Sequence, residues 1–434
     1  MSIDLSRYRK RLLIGPWRLE GSTADHLDGA VVIPACGESD HLPATLAGLA
    51  ANPEKELRDW LVVVVVNQPP SADERLKEDN LATLDWLHRN QKMLPHLAWV
   101  DATDEGTLFP ARDAGVGLAR KTGFDLALER LRGPAAILVS LDADTLVEDT
   151  YLPALRRHFA THAAGGATLP FRHQPAAGEA EQRAIDLYEL YLRHYVLGLR
   201  LAGSSYAYHS IGSAFACRAD AYIAAGGMNR RKAGEDFYFL QQLAKTSGVR
   251  PLGGTCVHPS SRTSQRVPFG TGEKVARLAR GEPALLFPAP AAFRQLRLLL
   301  DFEPTAATPP AAVLDALTAG APEAAEFLRR EGWTDVWPRL CRQHRRPERL
   351  RKAFHDWFDA LKTWRLIRLL SASHPVADPE AAVRDLLAAA GLDGDGDTAT
   401  LLEKLRRLEN DGEKETPPDR KYAMLAPSPP ASWK

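Results

Sequence analysis

The chain has 434 residues, 45% hydrophobic and 25% charged, the balance of a globular protein long enough for two or three domains. Lys plus Arg and Asp plus Glu each number 55, so no net charge draws the chain to nucleic acid or to a membrane surface. The four cysteines are far apart and no Cys-x-x-Cys is present, which argues against a zinc site and, with Cys36, Cys217 and Cys256 in apolar or small-residue surroundings, for reduced thiols and a cytoplasmic location.

Residues 1–28 form an N-terminal extension. Its start is basic but lacks the apolar run of a signal peptide. From residue 29 the pattern alternates strand and helix. Strands are expected over 30–34, 61–66, 97–100 and 135–141, with helices over 42–51, 73–91 and 111–131 between them. The apolar run 61–66 reads as a strand buried on both faces and is far too short to cross a bilayer. Peripheral contact is the only membrane association left open. In the helix over 111–131, Val116, Ala119, Gly123, Ala127 and Leu131 make a face that lies close to a sheet; Arg112, Arg120 and Lys121 lie on the other. The fold class is therefore α/β, a Rossmann-like, mainly parallel sheet with helices on both faces.

Beyond residue 141 the order is a helix over 179–199, a strand over 210–217, a helix over 218–225 ended by Gly226 and Gly227, a helix over 235–245 and a strand over 254–257. The first helix carries an apolar stripe: Ile185, Tyr188, Leu192, Tyr195 and Leu199. The α/β domain spans 29–285. Pro and Ala mark a linker over 286–310, and 311–409 reads as a helical C-terminal domain. There Leu350, Phe354, Trp357, Leu361 and Trp364 form one core stripe, Asp378 caps a helix that begins with Pro379, and Thr400 with Glu403 makes a capping box. Residues 410–434, charged and Pro-rich, read as a disordered tail.

Three places carry chemistry. Asp142-Ala143-Asp144 ends the strand over 135–141, where open α/β sheets bind ligands; two hard carboxylates there suit Mn²⁺ or Mg²⁺ and, through it, a diphosphate, or else cap the helix that follows. Glu235-Asp236 opens a helix backed by Phe237, Tyr238 and Phe239. The helix dipole would keep Asp236 ionised, and the pair reads either as a base or as dipole complementation. His258, at a strand end, leads into a Ser-, Arg- and Gly-rich loop suited to diphosphate oxygens. In the first βα turn, Glu38 offers acceptors, while Ser39 or Asp40 could simply cap the next helix. The Asp393-Gly394-Asp395-Gly396-Asp397 run lacks the Gly and Glu of a calcium loop. The basic run 342–352 reads as a solvated face or an anion-binding patch.

The order Val-Ile-Pro-Ala-x-Gly-Glu, a four-strand βα series, Asp142-Ala143-Asp144, Gly234-Glu235-Asp236 and a later His resembles family-2 glycosyltransferases of the GT-A fold, over roughly residues 29 to 275. The segments 115–123 and 266–272 look like those of a soluble bacterial subgroup. The resemblance implies transfer of one sugar from a nucleotide-sugar to an acceptor hydroxyl, metal-dependent and inverting, with Asp236 as catalytic base. The nucleotide-sugar pocket it implies comprises Pro34, Ala35, Glu38, Asn67, Arg120, Lys121, Asp142, Ala143, Arg262 and Arg266. Gly212, Ser213 and Glu235 would face the acceptor. Asp144 and His258 would hold Mn²⁺ or Mg²⁺. A UDP-sugar is favoured over a GDP-sugar, although Asn67 stands where many members place an Asp for the base. The Q-x-x-R-W motif of processive synthases is absent. A retaining enzyme acting on a small phosphorylated acid and a non-catalytic nucleotide-sugar sensor stay open.

Overall fold

The computed structural model describes residues 8, 12, 15–262, 271–282, 285–302, 305–376 and 378–411. The chain forms two compact units: Met1–Ile185 with Ser210–Ala276, and Asp186–His209 with Arg277–Lys434. Among the described residues no helix is long and apolar enough to cross a membrane.

The strands of the first unit are β1 (Glu20–Gly21), β2 (Gly29–Ala35), β3 (Trp60–Asn67), β4 (Leu97–Ala102), β5 (Ile137–Ser140), β6 (Leu146–Val147), β7 (Gly166–Thr168), β8 (Phe215–Arg218), β9 (Val249–Pro251) and β10 (Val257–His258). Its helices are α1 (Leu42–Ala50), α2 (Glu54–Leu57), α3 (Glu74–Arg89), α4 (Val116–Leu128), α5 (Tyr151–Thr161), the first turns of α6 (Glu179–Leu201), α7 (Ala219–Ala224), α8 (Glu235–Ser247) and most of α9 (Thr271–Ala279).

One sheet runs in the order β1-β4-β3-β2-β5-β8-β7-β9, and β10 pairs with β6 in a small second sheet. The stretch β4-β3-β2-β5 is parallel throughout, and β8 runs antiparallel to β5. This is the mostly parallel α/β sheet the sequence pattern predicts. Every residue of β3 is buried, as an all-apolar strand covered on both faces requires. Gly123 brings α4 onto the sheet, since a Cβ there would lie 2.3 Å from Val32 and 3.1 Å from Val65.

Several boundaries differ from expectation. The helix over 111–131 is shorter, because 110–114 closes a turn with Asp113 N–H on the Pro110 carbonyl and Gly115 stays extended before Val116. The strand over 210–217 is reduced to β8. That over 254–257 keeps only the residues facing two-residue β6. Strands β1, β6, β7 and β9 have two or three residues each, too few to show a period.

The second unit is helical: the remainder of α6, the end of α9, then α10 (Pro290–Leu300), α11 (Pro310–Gly320), α12 (Pro322–Arg330), α13 (Trp333–Gln343), α14 (Pro347–Trp357), α15 (Ala360–Ser373), α16 (Pro379–Ala389) and α17 (Thr398–Asp411). The stretch read as a linker contains α10, which puts Phe293, Leu296 and Leu299 into the core. The stripe from Leu350 to Trp364 is broken into two helices. Asp359 caps the second through Lys362 N–H, and Trp364 is left exposed. Asp378 caps α16 as expected. At α17 the cap is Asp397, which accepts from Thr400 N–H, so Thr400 lies inside the helix and is not its cap. Residues 412–434 of the tail lie outside the described residues.

Candidate functional site

The chain runs outward from β2 to β3 and β4, then returns across β2 to β5. Strand order therefore reverses between β2 and β5, and the crevice at their C-terminal ends is where such sheets take ligands. Glu38 follows β2; Asp142, Ala143 and Asp144 follow β5. Ala143 is buried, and its carbonyl accepts from Thr45 Oγ1 at 2.8 Å, which ties the Asp-Ala-Asp turn to α1. Antiparallel pairing of Phe215 with Ser140 brings the residues before β8 to the same edge. Gly212 lies there against the Arg120 guanidinium; an added Cβ would sit 2.4 Å from Nη2. Ser213 is buried beside it in the chain.

Arg120 joins the two acidic motifs. Its side chain is 3% exposed, and it donates through Nη2 to Asp142 Oδ1 and through Nη1 to Glu235 Oε1. The start of α4 makes this possible. Gly117 has no room for a Cβ, which would fall 2.3 Å from the Arg231 carbonyl and 3.0 Å from Glu235 Cβ. The helix start thus lies against the segment preceding α8, and Arg120, one turn on, meets Glu235. Asn229 Nδ2 holds the Glu235 carbonyl at 2.8 Å.

Burial raises the Glu235 pKa to about 7, against the pull of Arg120 and with the help of the Asp236 and Asp142 charges. Asp236, expected to be held ionised by the helix start, is also pushed up. Burial is the main cause, and Arg120 together with the Phe237 N–H, 2.7 Å from Oδ1, opposes it. A carboxylate moved toward neutrality is a better proton acceptor than an exposed one.

Arg262 holds the other side. Its Nη2 donates to Glu38 Oε1 and Oε2 at 2.6 and 2.7 Å and lies 2.8 Å from Asp144 Oδ2. Burial raises the Asp144 pKa, as do Asp142 and Glu38, while Arg262 lowers it. Five carboxylates, Glu38, Asp142, Asp144, Glu235 and Asp236, thus surround two guanidiniums.

The remaining expected site residues take the following places. His258 is near Asp144 by backbone, since Gln174 Nε2 donates to both carbonyls, at 2.9 Å to Asp144 and 2.7 Å to His258. Its ring Nε2 lies 3.5 Å from Glu148 Oε1. Lys121 points into a buried cluster, bonding Asp125 at 2.7 Å and the Tyr8 hydroxyl at 2.9 Å. Asn67 is buried and donates to the Ala35 and Val65 carbonyls. Pro34 and Ala35 are the last residues of β2. Ser39 does not cap α1; it bonds Asp79 through N–H and Oγ. Arg266 lies outside the described residues. In the 393–397 run, Lys404 Nζ bonds Asp393 and the Asp395 carbonyl, an internal cation where calcium would go. Glu148 and Gln174 were not anticipated; a lone Glu or Gln in a connection carries no sequence signal.

No protein-family model and no curated protein matches the chain. Among solved structures it is similar to S. aureus TarS 1-349 in complex with UDP-GlcNAc (13% identity, 73% of this chain and 91% of that one, TM-score 0.39). It is also similar to mannosyltransferase PcManGT from Pyrobaculum calidifontis in complex with GDP-Man and Mn²⁺ (18% identity, 81% and 93%, TM-score 0.39). Likeness at this level transfers neither activity nor ligand, so function rests on the residues themselves.

Proposed function

We propose that the first unit is a GT-A glycosyltransferase that moves one sugar from a nucleotide-sugar, UDP-linked before GDP-linked, to an acceptor hydroxyl with inversion. The observation that carries the reading is the Arg120 bridge. It sets the Asp142-Ala143-Asp144 turn beside Glu235 and Asp236 at the switch-point edge of the sheet, which supports reading the first as donor site and the second as base.

The ground between Glu38 and Asp144 already suits a cation, since the Arg262 guanidinium occupies it. Hard carboxylate oxygens fit Mn²⁺ or Mg²⁺, and Asp144 is the residue that would hold the ion. Such an ion would supply positive charge to the departing nucleoside diphosphate. His258, the imidazole the resemblance implies, is turned to Glu148, so this reading leans on Asp144. Asp236 takes the proton of the acceptor hydroxyl as that oxygen attacks the anomeric carbon. Glu235, fixed by Arg120, positions the acceptor side. Arg262 exchanges its carboxylate partners for diphosphate oxygens.

The test is a thermal-shift screen of nucleotide-sugars with and without Mn²⁺, followed by a transfer assay with the donor found. A donor at 100 times its Kd stabilises by about 2.7 kcal/mol. Stabilisation by a UDP-sugar that needs Mn²⁺ supports the reading. Binding without turnover of any kind would favour the sensor, and no binding by any donor would overturn it.

A further inference from the structure

A second group of donors lies outside the crevice just described. Glu148 follows β6, Cys256 precedes β10 and His258 ends it; the pairing of Val257 with Val147 and His258 with Leu146 brings all three together. One ligand atom from each lies within 4.8 Å of the other two, and among the described residues this is the only group of three or more such donors. The orientation is specific. His258 Nδ1 lies 3.1 Å from the Arg172 carbonyl, which accepts no bond unless Nδ1 carries the proton. The Nε2 lone pair then faces Glu148 Oε1 at 3.5 Å. Cys256 N–H donates to the other carboxylate oxygen, Oε2, at 3.1 Å and holds it turned this way. In the neutral ring that lone pair is set against a carboxylate oxygen, a contact that either a proton on Nε2 or a metal ion between the two relieves.

We propose that Glu148, Cys256 and His258 form a three-ligand site for Zn²⁺, separate from the Asp142-Ala143-Asp144 site. A thiolate, an imidazole and a carboxylate match zinc rather than Mg²⁺ or Mn²⁺. Ligands about 2.0 to 2.3 Å from one tetrahedral ion lie roughly 3 to 4 Å apart, in line with the His258–Glu148 separation. The Arg172 carbonyl on Nδ1 is the outer partner that metal-bound imidazoles use to fix their tautomer. Binding takes the Cys256 thiol proton into solvent as the thiolate–zinc bond forms. The ion would clamp β6 to β10. It would also keep His258 out of the donor crevice, leaving the metal there to Asp144.

The probe is the metal alone, without nucleotide, on tag-free full chain. Zn²⁺ is titrated against a chromophoric chelator, and Co²⁺ is followed by its thiolate charge-transfer band. One equivalent should bind with that band present. Cys256→Ser should abolish the band and weaken Zn²⁺ at least about 100-fold, a larger loss than removal of an outer partner gives. His258→Gln should weaken Zn²⁺ comparably, with folding of both variants checked by apo-protein melting. Asp144→Asn should leave Zn²⁺ affinity and the band intact. A band that survives Cys256→Ser, a loss in Asp144→Asn, or no stoichiometric Zn²⁺ would overturn the site. Because no nucleotide is present, none of these outcomes bears on glycosyl transfer.

Discussion

Arg120 and Glu235, 115 positions apart in the chain, form an ion pair whose two side chains are 3% and 4% exposed. Burial of both charges is costly, so each depends on the other. The same guanidinium reaches Asp142, and the acidic turn after β5 and the start of α8 are therefore held as one unit.

Replacing Arg120 should cost much more than a surface substitution. Arg120→Met leaves the Glu235 and Asp142 carboxylates without their shared cation, and about 3–5 kcal/mol of stability should be lost. Urea denaturation of the variant against the parent measures it. A loss below ~1 kcal/mol would mean the carboxylates are relieved by water.

Glu235 gives a pH signature. Its folded pKa, about 7, lies above the unfolded carboxylate value, about 4.3. The folded state then binds the extra proton between these values, so this group's contribution is greatest below pH ~4.3 and falls as pH rises to 7. Stability of the parent minus that of Glu235→Gln should decline across the window by up to about 3 kcal/mol. A flat difference would show Glu235 to be fully ionised beside Arg120.

Asp236→Asn should keep nucleotide-sugar affinity and lose about 10² to 10⁴ in transfer rate. Binding by calorimetry and transfer by product assay separate the two effects. Full transfer activity would remove Asp236 from the base role and turn attention to the retaining alternative.

Arg262 competes with any cation at Asp144. Arg262→Ala should tighten Mn²⁺ binding by the free protein, because Asp144 loses its internal cation, and, if Arg262 takes up diphosphate oxygens as proposed, weaken the Mn²⁺–nucleoside diphosphate pair. Opposite movement of the two constants, read by Mn²⁺ paramagnetic titration and calorimetry, is the expected outcome. Parallel movement would assign Arg262 to structure alone.

The second unit should be acid-sensitive at Glu409. Burial works against its charge, but His209 at 2.7 Å and the Arg193 guanidinium outweigh that and bring its pKa to about 2. Its stabilisation is present above pH ~4.3 and is lost as pH falls toward 2. Glu409→Gln should be less stable at pH 7 and show a shallower acid transition by circular dichroism.

Much of the first unit was legible in one dimension. An all-apolar β3 must be buried, and strands alternating with helices require parallel crossovers, so the sheet and the acidic turn after β5 follow from pattern alone. Helix α6 shows where pattern fails. Its stripe marked Leu192, yet Glu189, Arg193 and His194 are the more buried, because Arg406, Glu409 and the Pro288 carbonyl, far along the chain, supply their partners. A polar residue is read as exposed until its partner is known. The site divides the same way. Composition marked Asp142, Asp144, Glu235 and Asp236 as carboxylates at element ends, which local sequence decides. That Arg120 serves the acids while its neighbour Lys121 turns to Asp125, and that His258 faces Glu148, depend on which side chains the packing brings within hydrogen-bonding reach. Spacing along one helix says only that adjacent residues diverge; it takes the opposing surface to say toward what.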